Sequence, residues 1–211
     1  MFDLVREEIA DRRARFDRGE EPTDLIALMT AAEGSHGITR AMVVDNVFNF
    51  ILGSMDTTER WLGLIILHIF SRPELVARLL TDRTLLEATV DEVMRYDTVA
   101  QVIMRCAKED GVELEGQRMK KGDALFLMLG AASRDPDAFD HADRFDIHRQ
   151  QKPLLGFGFG FHHCLGINAA RQEVMAFARV LLERYPGLKV GEVDFGNNWA
   201  LWGPRRLMVS L

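Results

Sequence analysis

Apolar and polar positions along this chain follow helical spacing over much of its length. Apolar residues recur three or four positions apart through residues 3–18, 23–32 and 167–184, which is the spacing of one face of a helix. Pro22 and the turn-forming residues 33–37 separate the first two segments from a longer one. The pattern therefore predicts a mainly α-helical chain.

The longest predicted helix covers about residues 39–70, and Thr39 can cap its start. Apolar side chains occur on most of its sides, and a helix that is apolar nearly all round is typical of the centre of a protein. We therefore expect this helix to be central. The apolar positions are Val43, Val44, Val47, Phe48, Phe50, Ile51, Leu52, Trp61, Leu62, Leu64, Ile65, Ile66 and Leu67.

Beyond this helix the pattern changes. Pro73 opens a short helix, and another is expected over about residues 85–96. Apolar residues then alternate in short runs between turns through about residues 99–129, which predicts a small β region. Residues 188–211 predict a closing hairpin. The expected fold class is mainly α with a small β region, in one domain that spans residues 1–211.

Composition narrows the function classes. The 211 residues are 47% hydrophobic with a net charge of −6 and a pI near 5.5, as in an ordinary soluble domain. The acidic balance argues against nucleic acid as a partner. The longest apolar run, Trp61 to Phe70, is about half of what a helix needs to cross a bilayer, so no membrane span is expected. Two cysteines without regular spacing fit a reducing cytoplasm, and Cys106 is predicted to be a small core or strand residue.

The stretch with the clearest chemistry is the loop of residues 157–166, with its single thiol at Cys164. Glycines here can adopt positive φ, so the loop can fold tightly beneath a flat ligand. The helix predicted over residues 167–184 starts directly afterwards, and the positive end of its dipole would favour the thiolate, the form that binds metal.

Two simpler interpretations of the loop exist. It could be a turn with a buried thiol, or His162, His163 and Cys164 could bind zinc. Zinc fits poorly, because three adjacent residues cannot all point at one tetrahedral centre and the chain has no Cys-x-x-Cys.

Phe-Gly-x-Gly-x-His-x-Cys-x-Gly in this loop resembles the haem-thiolate signature of cytochrome P450 at every fixed position. The resemblance implies that Cys164 is the axial ligand of the iron in haem b (heme b). It also implies that Phe157 packs near the sulfur and that His162 approaches a haem propionate, with Gly158 and Gly166 in the same cofactor-binding segment. A thiolate ligand pushes electron density toward iron, which helps the O–O bond to break.

The middle of the long helix reads Gly53-Ser54-Met55-Asp56-Thr57-Thr58. Alone, it would be a helix with a polar patch. It is similar to the family's Ala-Gly-x-Asp-Thr-Thr segment, which implies that Asp56 and Thr57 are the acid–alcohol pair that delivers protons during oxygen activation. Gly53 and Ser54 depart from the family's alanine and glycine, and Ser54 adds bulk and a hydroxyl at that point.

Glu92 and Arg95 lie three residues apart on one helix and can pair. Such pairs usually lie on the surface and contribute little, but apolar residues surround this one. The segment is similar to the family's Glu-x-x-Arg helix, which implies a buried pair joined by Arg144 from the meander of residues 135–166. The resemblance also implies a propionate ligand in Arg105 on the first strand; the alternative is an ordinary strand-edge charge.

The resemblance extends along the whole chain, but to only the second half of a family member, the haem-binding half of the fold. It implies a monooxygenase that inserts one oxygen atom from O2 into a small apolar organic substrate. Electrons would come from a separate ferredoxin or flavodoxin-type donor. A haem-binding fragment without turnover and a structural domain without cofactor are the alternatives. Self-association, or dependence on a missing N-terminal half, is expected if the apolar helix faces water.

Overall fold

The computed structural model describes residues 1–150 and 152–211. The chain folds as two compact units, Met1–Asp56 and Thr57–Leu211. Helix α3 (Arg40–Phe70) contributes residues to both of them. The predicted fold class is confirmed, because helices predominate and the strands form only short two-stranded sheets.

The first unit contains α1 (Phe2–Asp17), α2 (Leu25–Ala31) and the start of α3. Asp24 caps α2 by accepting a hydrogen bond from the amide of Ala27 at 2.7 Å. That bond and the Arg12 guanidinium hold the pKa of Asp24 below its ordinary value. Thr39 Oγ1 accepts from the amide of Met42 at 3.2 Å, so the expected cap of α3 is confirmed. The core of this unit consists of Val5, Ile9, Val43 and Val47.

Helix α3 is not buried on all sides along its whole length. In the first unit Val43 and Val47 face the core, whereas Met42, Leu52 and Met55 are exposed. The expectation of a helix central throughout is therefore wrong for this part, because neighbouring elements cover only one of its sides. From Trp61 onward it is confirmed: Trp61, Leu64, Ile65 and Ile69 are almost completely buried.

The second unit is built on the end of α3. It adds α4 (Pro73–Thr81), α5 (Leu85–Tyr96), the short α6 (Leu129–Ala132) and α7 (Ile167–Arg184). The apolar faces of α4, α5 and α7 meet the end of α3 in one core, because each of these helices carries buried residues at three- and four-residue spacing. The most deeply buried members are Leu64, Ile65, Ile69, Leu79, Val90, Val93, Val174, Ala178 and Leu182.

Three antiparallel pairs make up the β structure. Strand β1 (Ile103–Cys106) pairs with β4 (Ala124–Leu127), with Ile103 opposite Leu127. Strand β2 (Val112–Leu114) pairs with β3 (Gln117–Met119). The closing hairpin is confirmed as β5 (Lys189–Asp194) and β6 (Arg206–Ser210).

Cys106 lies on strand β1, as one of its two predicted places, but its side chain is exposed and not in the core. Among the helices of the described ranges, none combines the length and the apolar character needed to cross a bilayer.

Candidate functional site

The backbone of the cysteine loop is closed by its own hydrogen bonds. Two short 3-10 turns, Leu155–Phe157 and Gly160–His162, flank Gly158. Gly158 has φ 73° and ψ −168°, a conformation that is essentially restricted to glycine. The amide of Cys164 donates to the carbonyl of Phe157 at 2.8 Å. This bond brings the two ends of the loop together and fixes the backbone of Cys164, from which the sulfur projects.

The stem of the loop is anchored in the core of the second unit. The Phe157 ring is buried and meets Trp61 of α3 edge-on, with ring centroids 5.5 Å apart. Gly156 lies so close to the end of α5 and the residues after it that a Cβ there would be 2.9 Å from Thr98 and 3.1 Å from Met94. A side chain here would have to displace these groups, so glycine allows the loop to lie against this part of the chain.

Cys164 is half-buried and packs against the core, whereas its neighbours in the loop point outward. Phe159, Phe161 and Leu165 are 83%, 109% and 80% exposed. Several large exposed apolar side chains in one short loop are typical of an interaction or ligand-binding surface. One sulfur flanked by exposed apolar groups suits a flat, mainly apolar ligand.

The donor set also bears on the kind of metal that Cys164 could bind. Among the residues that the structure describes, no three His, Cys, Asp or Glu side chains are gathered as a metal site. Structural zinc sites in proteins are usually built from four Cys or His side chains. A single thiolate fits a metal whose other ligands arrive with it, as they do in haem.

Glu92 and Arg95 form a buried pair on α5. Arg95 donates from Nε and Nη2 to the two Glu92 carboxylate oxygens, both at 2.7 Å. The Arg95 and Glu92 side chains are only 4% and 3% exposed. Arg95 Nη1 also donates to the carbonyls of Ser133 at 2.9 Å and Ala142 at 3.0 Å. This two-bond geometry is the strong form of an ion pair, and it fixes the meander onto α5.

The third arginine of this network differs from the prediction. The Arg144 side chain is exposed, and Arg144 takes part through its carbonyl, which accepts from Arg95 at 2.9 Å. The Arg149 side chain is only 11% exposed: its Nε lies 3.7 Å from Glu92 Oε1, and its Nη2 donates to the carbonyls of His141 and Arg144 at 3.1 Å. The sequence offered no way to choose, because both arginines belong to the same irregular meander.

Arg105 and His162 are the two expected propionate ligands. Arg105 is half-buried on β1 and donates to the carbonyl of the adjacent Met104 at 2.9 Å. The His162 side chain is exposed at the end of its 3-10 turn. Both lie in the second unit, but no contact between them is seen in the described part of the chain. Their roles stay predictions.

Asp56 and Thr57 occupy consecutive, half-buried positions of α3. Asp56 is the last residue of the first unit and Thr57 the first of the second. The hydroxyl of Ser54 donates to the carbonyl of Ile51 at 3.1 Å, within its own helix. The proton-delivery role of Asp56 and Thr57 stays a prediction.

The chain is similar to a known protein family and to individual members of it. The family model described as cytochrome P450 matches residues 1–197. Over 194 residues the chain is 39% identical to cytochrome P450 133B1 of Xylella fastidiosa. The aligned region covers 90% of this chain and 48% of that protein. It is 33% identical to 20-oxo-5-O-mycaminosyltylactone 23-monooxygenase of Streptomyces fradiae, over 85% of this chain and 43% of that protein.

The fold has solved counterparts. The crystal structure of CYP164A2 of Mycobacterium smegmatis aligns with a TM-score of 0.89 and 31% identity, over 100% of this chain and 53% of that one. The chain therefore spans about half the length of the relatives it matches. Members of the matched family bind haem b through a cysteine thiolate.

Proposed function

The chain belongs to the cytochrome P450 family, and we propose that it functions as a haem-thiolate monooxygenase. In this proposal it inserts one oxygen atom from O2 into a small apolar organic substrate, with electrons from a separate ferredoxin or flavodoxin-type protein. The observation that carries the proposal is the loop closed by the Cys164 amide on the Phe157 carbonyl, which presents one half-buried thiol among exposed apolar groups.

Residues of the second unit would hold the haem. The Cys164 sulfur would be the axial ligand, Phe157 would pack beside it, and Gly158 and Gly166 would leave room for the ring. His162 and Arg105 would pair with the propionates as cationic or hydrogen-bonding partners. When bound, the haem supplies a redox-active iron, and its thiolate ligand favours cleavage of the O–O bond.

The loop's own contacts define what the protein contributes at the sulfur. The bond between the Cys164 amide and the Phe157 carbonyl limits movement of the Cys164 backbone. Phe157 is itself fixed by its edge contact with Trp61. A ligand atom on fixed backbone keeps its geometry through a reaction cycle, which lowers the reorganisation required. Apolar packing of Cys164 also limits water near the sulfur.

Asp56 and Thr57 would handle protons. The Thr57 hydroxyl can hold a proton at Oγ1 and pass it on, and the Asp56 carboxyl can replace it from solvent, because both side chains are only half-buried. This role is supported by the likeness of residues 53–58 to the oxygen-activation segment of the family. The name of the Streptomyces fradiae relative, a monooxygenase, supports the reaction class and leaves the substrate of this chain open.

The test is turnover by the haem-loaded chain with a surrogate ferredoxin system and a panel of apolar substrates. We expect hydroxylated product and NAD(P)H consumption. Thr57→Ala should keep the haem spectrum while the product formed per NAD(P)H consumed falls steeply, since a proton-transfer group contributes about 10²–10⁴-fold to a rate. Thr58→Ala, the adjacent threonine, is the matched control and should retain coupling.

A second outcome would favour the alternative. If the loaded chain shows the thiolate-type spectrum but yields no product with any surrogate donor, the chain is a haem-binding fragment without turnover. Its span of about half of each relative makes this comparison necessary.

A further inference from the structure

Two buried polar atoms, one on α5 and one in the meander, have no hydrogen-bond partner among the residues that the structure describes. One is Oδ1 of Asp91, whose side chain is only 10% exposed. The other is Nε of Arg149, whose side chain is 11% exposed. Leaving a buried polar atom unpaired is costly, so nearly all such atoms in folded proteins have a partner. These two atoms therefore call for one.

The remaining polar atoms of both side chains are already bonded. Asp91 Oδ2 accepts from Arg171 Nη2 of α7 at 2.9 Å. Arg149 donates from both Nη atoms to main-chain carbonyls of the meander, at 2.5 to 3.1 Å. Neither side chain can turn toward another group without breaking these bonds, so a partner must come to Oδ1 and Nε where they are.

Glu92 is the carboxylate nearest to Arg149 Nε, but it does not serve as that partner. Its Oε1 lies 3.7 Å from Nε, which is too long for a hydrogen bond. The same oxygen already accepts from Arg95 Nη2 and from the amide of Asp146, both at 2.7 Å. The charge of Glu92 attracts Arg149, but the Nε–H group still needs an acceptor.

Asp91 and Arg149 line the same small cavity, together with Glu92 and Arg95. Its volume is about 10 Å³, close to the minimum that admits one water molecule. An organic ligand or a polyatomic anion does not fit such a space. The cavity can take a water molecule or a single ion.

The two unpaired atoms require opposite partners, which decides between water and an ion. An ionised carboxylate oxygen only accepts hydrogen bonds, and a guanidinium Nε only donates. A chloride ion would suit Arg149 but be repelled by Asp91, and a metal cation would suit Asp91 but be repelled by Arg149. A water molecule donates through its O–H and accepts through its oxygen, so it satisfies both atoms.

We propose that this cavity is a binding site for one buried water molecule, which donates to Asp91 Oδ1, accepts from Arg149 Nε and so links α5 to the meander. Buried waters of this kind are part of a folded structure and are costly to remove. Through the water, Arg149 is joined to Asp91 as well as attracted to Glu92. The site is independent of haem and of the proposed function.

The test is a crystal structure of the whole chain at a resolution that shows ordered water, with a second crystal soaked in sodium bromide. We expect one water within about 3.2 Å of both Asp91 Oδ1 and Arg149 Nε, and no anomalous bromide peak in the cavity. Absence of solvent density there, a bromide peak, or a protein side chain that fills the cavity would each overturn the proposal.

Two variants of Asp91 test which atom holds the water. Asp91→Asn keeps a polar side chain of the same shape and should keep the water, whereas Asp91→Leu removes the acceptor and should lose it. Glu87→Leu is the matched control, because Glu87 is the other carboxylate that Arg171 contacts and is 70% exposed. It should keep the water.

Oxygen-17 relaxation dispersion, which counts long-lived buried waters, gives the same comparison in solution. We expect one fewer such water in Asp91→Leu than in Glu87→Leu. Equal counts, or a water that persists in crystals of Asp91→Leu, would contradict the assignment. If Asp91→Leu does not fold, the wild-type crystals decide the question alone.

Discussion

His68 on α3 donates from Nε2 to Asp97 Oδ2 at 2.6 Å, at the end of α5. The direction of this bond follows from Arg72, whose guanidinium lies 3.1 Å from the other ring nitrogen. A guanidinium can only donate, so Nδ1 accepts and Nε2 carries the proton. Phe145 stacks on the same ring, 5.1 Å away and nearly parallel. The pair therefore ties two helices and the meander together.

The bond between His68 and Asp97 predicts that the protein loses stability in acid as Asp97 becomes protonated. Burial would raise the pKa of Asp97, but the hydrogen bond from His68 and the positive charge of Arg134 outweigh it, so its pKa lies below the ordinary value. A lowered folded pKa gives stability that is present above the unfolded value, about 3.9, and lost as pH falls through the folded value. Asp97→Asn should reduce the dependence of stability on acid pH, and it should cost about 1.5–3 kcal/mol of unfolding free energy at neutral pH.

The measurement is urea unfolding at several pH values from neutral to acid. The exposed Asp143→Asn is the control and should keep the wild-type profile. An unchanged slope in Asp97→Asn would show that the His68 bond does not hold this carboxylate in its charged form.

The Glu92–Arg95 network predicts unequal effects of two arginines. Arg149→Ala removes a largely buried side chain that donates to main-chain carbonyls and lies near Glu92, so it should cost about 2–3 kcal/mol of unfolding free energy. Arg144→Ala should stay within about 0.5 kcal/mol, because its side chain is exposed. Chemical denaturation of both variants checks this. Equal losses, or a larger loss for Arg144→Ala, would restore Arg144 as the third arginine.

Substitution of Gly158 is predicted to strain the cysteine loop. Gly158→Ala places a Cβ 3.3 Å from the His162 carbonyl oxygen in a backbone conformation that suits glycine alone, so we expect a loss of about 1–3 kcal/mol. Gly166→Ala is the control, because φ at Gly166 is negative and a Cβ there meets nothing within 4 Å. Thermal unfolding of the two variants without haem should differ by several degrees, and equal melting temperatures would contradict the loop geometry.

Exposed apolar side chains predict that the chain associates with itself in solution. Leu52 and Met55 in the first unit are 51% and 60% exposed, and Phe159 and Phe161 in the second unit more so. We expect association at micromolar concentration, and haem should raise the melting temperature by binding only the folded chain. Light scattering of Leu52→Gln/Met55→Gln should show less association than that of the wild type. A chain that stays monomeric at micromolar concentration would contradict this prediction.

Much of this fold could be predicted from local sequence. Helices α5 and α7 have the predicted bounds, since apolar periodicity and terminal turn residues are local signals. Strand β3 falls inside the predicted β region, but its own residues give no strand signal, because Gln117-Arg118-Met119 is a short, mostly exposed segment with no alternation. The sequence also did not indicate the role of Arg149 or the ion pair between Asp91 of α5 and Arg171 of α7. They depend on how the meander and α7 meet α5, and no spacing along the chain encodes such a meeting.

The central claim is that Cys164 is the thiolate ligand of a haem, and the reduced carbon monoxide difference spectrum tests it most directly. The spectrum should be recorded for the haem-supplied wild type and for Cys164→Ala, with Cys106→Ala as the matched control for the other free thiol. The account predicts a thiolate-type band in the wild type and in Cys106→Ala, and its loss in Cys164→Ala. A wild type that never shows this band, or a band that survives in Cys164→Ala, would contradict the account.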